Sequence, residues 1–203
     1  MNKLKLKKLL KKYKDDRFFQ EVFDHKVYQP VWDLGEIDTV IDLGAVAGEF
    51  SFWIADRAKN VYAIEPEPEQ FKELENNIDF VEAKNIHPVK YALGKENRTG
   101  HVTIAGRGGS SLSEDETSTD RDVIVLTLAK YMEVEKIKHV DVLKVDIECG
   151  ETAVFGSEDF KKVSYKIDFI IGEHVGATSR DVLESFGFVY KEYAFGSYFC
   201  KNI

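Results

Sequence analysis

The stretch Val40-Ile41-Asp42-Leu43-Gly44-Ala45-Val46-Ala47-Gly48-Glu49-Phe50-Ser51 decides the fold. It reads as a buried strand, Thr39 to Leu43, that runs into a glycine turn and then into a helix opening near Gly48. A short apolar run that ends in glycine and passes into an amphipathic segment marks a strand-turn-helix unit. Such a turn aims backbone N–H groups and the positive end of the helix dipole at one point, where something anionic or strongly polar belongs. A second strand, Asn60 to Glu65, ends on a carboxylate 21 residues after Gly44. That is about the spacing at which an acid meets a ribose diol in a doubly wound sheet.

The glycine pattern chooses between ligands. A dinucleotide fingerprint needs glycine at 44, 46 and 49, but Val46 and Glu49 stand at the last two. A β-branched side chain blocks the approach to a pyrophosphate, and a carboxylate at the helix start repels it. A ligand with an adenosine and an amino-acid end but no phosphate fits better, and S-adenosylmethionine is the common one. For the loop alone, the alternative is a turn that merely lets helix pack on strand.

Composition sets the frame. With 203 residues, 43% hydrophobic and 32% charged, the chain suits one domain with a short appendage. No apolar run reaches membrane-spanning length, and the N-terminus lacks the apolar core of a secretion signal. Cys149 and Cys200 form neither a disulfide framework nor a metal spacing, which points to a reducing, cytoplasmic setting. Residues 1–14 hold seven lysines and no acid; removing their charge from the net −8 leaves −15 for the rest. So acidic a body argues against a broad nucleic-acid face.

Residues 1–35 read as a basic, amphipathic helical appendage, with one helix from Met1 to about Phe23. Such a helix can lie on an anionic membrane or engage RNA, or be a solvated appendage whose aromatic half docks on the domain. Residues 36–203 form the main domain. Helices are expected over Gly48–Ala58 and Glu67–Asn77, and a third strand over Ile86–Ala92. Parallel strands with right-handed crossovers follow from that alternation. Residues 95–122 interrupt it as an inserted hairpin or loop, in which Ser110 and Ser111 are placed to line a substrate pocket. Order returns at Val123–Leu126 and at the almost wholly apolar Val140–Val145, followed by Asp146-Ile147-Glu148-Cys149-Gly150. Ile167–Ile171 ends in Gly172-Glu173-His174, and two last strands form an antiparallel hairpin after a helix at Ser179–Phe186.

From Thr39 onward the chain resembles the FkbM-type branch of the class I S-adenosylmethionine-dependent methyltransferases. The resemblance rests on Asp42-Leu43-Gly44-Ala45 with Gly48, on Glu65-Pro66, and on Tyr91-Ala92-Leu93-Gly94. It continues through Ser110-Ser111-Leu112, Leu126-Thr127-Leu128, Lys144-Val145-Asp146-Ile147-Glu148 and Glu173-His174. It implies a Rossmann-like α/β fold, a seven-stranded, mostly parallel sheet with an antiparallel C-terminal edge hairpin, and O-methylation of a hydroxyl on a small molecule or sugar. The implied cofactor contacts are Asp42, Gly44, Ala45, Gly48, Ser51, Glu65, Pro66, Tyr91, Ala92 and Asp146. Three positions depart from the family pattern: Val46 replaces a usual asparagine, Cys149 and Gly150 are swapped, and Ala129 follows Thr127-Leu128 in place of aspartate.

Methyl transfer is an in-line displacement, so positioning dominates, and a hydroxyl acceptor also benefits from a base. Asp146, Glu148, Glu173 and His174 follow the ends of central strands and are expected to converge. His174 or Asp146 is the candidate to take the acceptor proton, Glu148 to orient substrate or balance the sulfonium, and Glu173 to bind substrate. The plainer reading of Asp146 and Glu148 is helix capping. Nothing in the carboxylate spacing demands a metal, so none is expected. A non-catalytic protein on this scaffold and an RNA methyltransferase anchored by the lysine tail are the competing functions.

Overall fold

The computed structural model describes residues 1–103, 111–113, 121–147, 150–172, 177–193 and 196–201. The chain opens with helices α1 (Lys3–Lys12), α2 (Arg17–Phe23) and α3 (Gln29–Trp32). Strand and helix then alternate through β1 (Ile37–Leu43), α4 (Glu49–Ile54), β2 (Ala58–Ile64), α5 (Pro68–Val81) and β3 (Ile86–Val89). The short strands β4 (Ala92–Leu93), β5 (Arg98–Thr103), β6 (Ser111–Ser113) and β7 (Arg121–Leu126) follow. The remainder is α6 (Leu128–Val134), β8 (Val140–Val145), α7 (Glu151–Phe155), β9 (Ile167–Gly172), α8 (Ala177–Ser185), β10 (Phe188–Tyr193) and β11 (Gly196–Lys201).

The main sheet runs β10-β11-β9-β8-β1-β2-β3. The five strands from β9 to β3 are parallel, and β11 pairs antiparallel with both β9 and β10. β1 sits inside because Val40 to Leu43 are all buried, as a strand covered on both faces must be. β8 is buried over Val142–Val145 for the same reason. Strand order reverses between β1 and β8, so the C-terminal ends of these two strands flank the crevice where such sheets bind ligands. Pro88 in β3 gives up a ladder donor, which an edge strand tolerates.

A second sheet, β4-β7-β5-β6, stands apart from the first. Here the structure corrects the expected single strand from Ile86 to Ala92. The chain leaves the main sheet after Val89, and Ala92–Leu93 pairs with β7. Both pieces carry buried apolar residues, Ile86 and Val89 in one and Ala92 and Leu93 in the other, although in different sheets. The helix expected over Gly48–Ala58 stops at Ile54, since Ala58 already pairs with Ile37 in the sheet.

The N-terminal helix is also broken in two. Asp16 turns its carboxylate back to accept a hydrogen bond from the backbone N–H of Phe19 at 3.2 Å, capping a new helix. α1 packs on α5 and α2 on α4. Leu6, Leu9, Tyr13, Phe19 and Val22 share one core cluster with Val40, Val61 and Leu74. Tyr13 stacks on Phe19 at 4.4 Å between ring centroids, and its hydroxyl donates to Glu73. The apolar face of α1 is therefore turned inward, leaving Lys7, Lys8 and Lys11 outside. No helix among the described residues is long and apolar enough to cross a membrane.

Candidate functional site

The glycine turn after β1 is fixed from below. Gly44 has φ +78°, and a Cβ there would lie 1.9 Å from the carbonyl oxygen of Asp146, so only glycine lets the two strand ends approach. The N–H groups of Gly44 and Ala45 both donate to the carbonyl of Ile64, at 3.1 and 3.0 Å. Val46 follows in the left-handed region at φ +50°, a costly conformation for a β-branched residue. Its N–H donates to Glu65 Oε2 at 2.9 Å.

Glu65, just past the end of β2, is almost wholly buried. Its second oxygen, Oε1, accepts from the N–H of Glu67 at 2.9 Å. Burial pushes the carboxyl up to about 7, and the two backbone N–H groups and the Lys144 charge only partly oppose that rise. A carboxylate offers about four lone-pair sites, so two remain for further donors.

Lys144 in β8 is the buried cation of the site. Its ammonium donates to the carbonyls of Gly44 at 2.7 Å and Leu43 at 3.2 Å. It also lies 3.2 Å from Asp42 Oδ1 and 3.7 Å from Asp146 Oδ2. Burial alone pulls its pKa down, but Asp42, Asp146 and Glu49 outweigh it and leave the ammonium above the ordinary lysine value. Among the described residues Asp42 Oδ1 has no hydrogen-bond partner and faces this charge, while Oδ2 accepts from the Ser51 hydroxyl at 2.6 Å.

Two clefts open on this turn. The first spans about 620 Å³, open solvent included, and is lined by Glu65, Pro66, Tyr91, Ala92, Leu112 and Ile147 among others. The second, about 700 Å³, lies between α2 and the turn, with Ala45, Glu49, Lys144, Arg17 and Phe18 in its walls. Gly44, Val46 and Asp146 line both.

Six of the ten cofactor contacts named from sequence line the first cleft: Gly44, Glu65, Pro66, Tyr91, Ala92 and Asp146. Ala45 lines the second. Asp42 and Ser51 are fully buried beneath the turn and hold it and each other, lining neither cleft. Gly48, at φ +101°, starts α4 behind the turn. Ser110, Glu148, Glu173 and His174 lie outside the described residues, and Ser111 is described only through its strand pairing with Thr103. Glu49, Arg17 and Phe18 were not singled out as ligand contacts. Glu49 carried a signal, since an acid in the first turn after a glycine loop faces the same point as the loop. Arg17 and Phe18 carried none, because only the docking of α2 brings them in.

Comparison with known proteins decides the relationship. A profile of the methyltransferase FkbM domain matches residues 42–194. The chain belongs to the FkbM methyltransferase family. S-adenosylmethionine is the cofactor of this family. Among characterised relatives, the chain is 26% identical over 150 residues to the hexuronic acid methyltransferase AglP of Haloferax volcanii, matching 72% of this chain and 60% of that protein. It is 26% identical over 178 residues to methyltransferase 1 of Beauveria bassiana, matching 73% of this chain and 71% of that one. Among solved structures, the FkbM methyltransferase of Methylobacillus flagellatus KT superposes with a TM-score of 0.57 at 14% identity, covering 90% of this chain and 47% of that one. The chain thus spans about 60% of the first relative and about half of the solved FkbM structure. This FkbM chain shares with the solved structure a class I methyltransferase-like α/β fold with a mostly parallel central sheet.

The site fits the family's cofactor in its donor set. The buried Glu65 carboxylate lines the first cleft and has acceptor sites of the kind a ribose diol uses. The apolar lining around Tyr91, Ala92 and Leu112 suits a purine.

Proposed function

We propose that the protein transfers a methyl group from S-adenosylmethionine to an oxygen of a small sugar-like acceptor. The observation that carries this reading is the junction of two clefts at Gly44, Val46 and Asp146. A ligand lying across the turn presents its middle at that junction, beside the Asp146 carboxylate.

The bound cofactor supplies an electrophilic methyl on a sulfonium. The chain's own part is then alignment and handling of a proton. Glu65 accepts from the ribose hydroxyls and fixes the nucleoside end. Lys144, by holding the Leu43 and Gly44 carbonyls, sets the height of the turn. Asp146 has a side chain about one-third exposed and is held on one oxygen by Lys144, so it can accept the hydrogen of an incoming hydroxyl. Glu148, Glu173 and His174, which lie outside the described residues and follow β8 and β9 in sequence, remain the companion candidates for base and substrate contacts. A hydroxyl acceptor is favoured by the presence of such a base, and a sugar by the relationship to a hexuronic acid methyltransferase.

The test begins with S-adenosylhomocysteine titrated by calorimetry against an NAD⁺ control. Micromolar binding of the former alone supports the cofactor; binding of neither sinks the reading. Labelled methyl transfer is then measured to methyl glucuronide and methyl glucoside. An alkali-stable ether product supports hydroxyl attack, and an alkali-labile ester would assign a carboxylate acceptor instead. Asp146→Asn should cut kcat by roughly 10²–10⁴-fold, the usual worth of a positioned proton acceptor. Full turnover in that variant would remove Asp146 from the chemistry.

A further inference from the structure

Helix α1 has two faces of different chemistry. Leu6, Leu9 and Tyr13 turn inward and join the main core cluster, with Leu10 packed against it. Leu4, Lys7, Lys8 and Lys11 recur at the three- and four-residue spacing of the opposite face, and all four are exposed. Leu4 is 66% exposed and joins none of the core clusters. Acids flank this face without crossing it. Asp56 pairs with Lys3, Glu82 with Lys5 at 2.7 Å and Asp15 with Lys14 at 3.7 Å. Lys12 donates to the Tyr13 hydroxyl at 2.8 Å. Among the described residues, no ion pair reaches Lys7, Lys8 or Lys11.

We infer that this outward face of α1 docks on a bilayer surface rich in anionic lipid, with Lys7, Lys8 and Lys11 over the headgroup phosphates and Leu4 dipping toward the acyl chains. Attraction to such a surface falls off within a Debye length, about 10 Å at 0.1 M salt, so the charges nearest the bilayer decide. Here those are three ammonium groups with no acid drawn across them. The acidic balance of the rest of the chain, −15 once residues 1–14 are removed from the net −8, favours an approach that leads with α1. A nucleic-acid backbone is the other polyanion to weigh. Proteins that hold it add arginine forks and stacked aromatic rings, and this face offers neither. A leucine amid the lysines gains nothing from phosphate; it gains where an apolar layer lies beneath the charge. The main apolar stripe of α1 is already occupied by the core, so attachment through one leucine and three charges is weak and reversible. The face is also separate from the cofactor reading, since no residue of α1 lines either cleft.

The experiment is co-sedimentation of the protein with vesicles of phosphatidylcholine alone and with vesicles carrying about one-third phosphatidylglycerol. The wild type should bind the anionic vesicles only, and binding should fade as salt rises from about 0.1 M to about 0.5 M. Replacing Lys7, Lys8 and Lys11 together by glutamine should weaken it by roughly fivefold per lysine, about a hundredfold in all. Leu4→Ser changes no charge and should weaken vesicle binding by about threefold to tenfold, while leaving retention on a single-stranded RNA oligonucleotide unchanged. All four side chains are exposed, so urea unfolding and S-adenosylhomocysteine affinity should match wild type in both variants. Equal binding to the two kinds of vesicle, binding to neither, or full vesicle binding by the triple variant overturns the inference. RNA held more tightly than the anionic vesicles, with vesicle binding indifferent to Leu4→Ser, overturns it in favour of a nucleic-acid face. None of these results depends on whether the cofactor reading stands.

Discussion

Glu65 makes a prediction that joins stability to cofactor binding. Its carboxyl is pushed up to about 7 by burial, from an ordinary value of 4.5. A raised acid pKa means that between those values the folded chain binds more protons than the unfolded one. Stability contributed by this group is therefore present at low pH and lost as pH rises from about 4.5 through 7. Integrating the two titrations gives a loss of about 2.5 kcal/mol between pH 5 and pH 8. Glu65→Gln cannot titrate, so it should lack this slope. It also turns an amide NH₂ toward one of the two backbone donors at Val46 and Glu67, which costs roughly 1–3 kcal/mol at every pH. The absolute stability of the variant is thus a poor test, and the difference between two pH values is a good one.

The assay is urea unfolding of wild type and Glu65→Gln at pH 5 and pH 8, without cofactor. The wild type should lose about 2.5 kcal/mol relative to the variant on going from the lower to the higher pH. Under saturating S-adenosylhomocysteine the two should part at pH 8 by a further binding contribution, since the ionised carboxylate accepts the ribose hydroxyls and the amide does so more weakly. A stability difference that stays flat from pH 5 to pH 8 would mean that the carboxyl titrates like an exposed one. The burial argument would then be wrong, however well the cofactor bound.

Three other perturbations are as direct. Val46→Asn places a residue that tolerates φ > 0 where valine is held at +50°, and should raise unfolding stability by about 1 kcal/mol in urea melts. Lys144→Met leaves Asp42 as an uncompensated buried charge and should cost roughly 3–5 kcal/mol; adding Asp42→Asn should recover part of the loss in thermal melts. Deleting residues 2–14 removes Leu6, Leu9 and Tyr13 from the core, lowering stability on the order of 3–6 kcal/mol. The same truncation leaves the turn at Gly44 and Glu65 in place, so S-adenosylhomocysteine affinity by calorimetry should stay within about threefold; a complete loss would show that the N-terminal tail helps close the site.

What could be read from sequence divides along physical lines. The turn at Gly44 and the acid at Glu65 were legible because both are local: a strand pattern, a glycine, and a spacing set by one crossover. The gap between β3 and β4 was not, since Ile86, Val89, Ala92 and Leu93 are buried alike in whichever sheet holds them. Asp42 and Ser51 sit in the motif yet face inward, because alternation along a strand says which face a side chain takes but not whether that face holds ligand or core. The N-terminal helices show the opposite failure. An unbroken apolar stripe from Leu6 to Phe23 looked like one helix, while the Asp16 cap that divides it is a single side-chain contact.

That division matters for the site. A continuous helix would carry Arg17 and Phe18 in line with the lysines of α1, away from the glycine turn. The break lets α2 change direction, bury Phe19 and Val22 in the core, and present Arg17 and Phe18 to the second cleft. Asp16 thereby governs one wall of the second cleft. Asp16→Ala should accordingly loosen α2 against α4. It should also lower stability by about 1 kcal/mol, the ordinary cost of a lost helix cap. A variant that unfolded in urea as the wild type does would show that this cap does not hold α2.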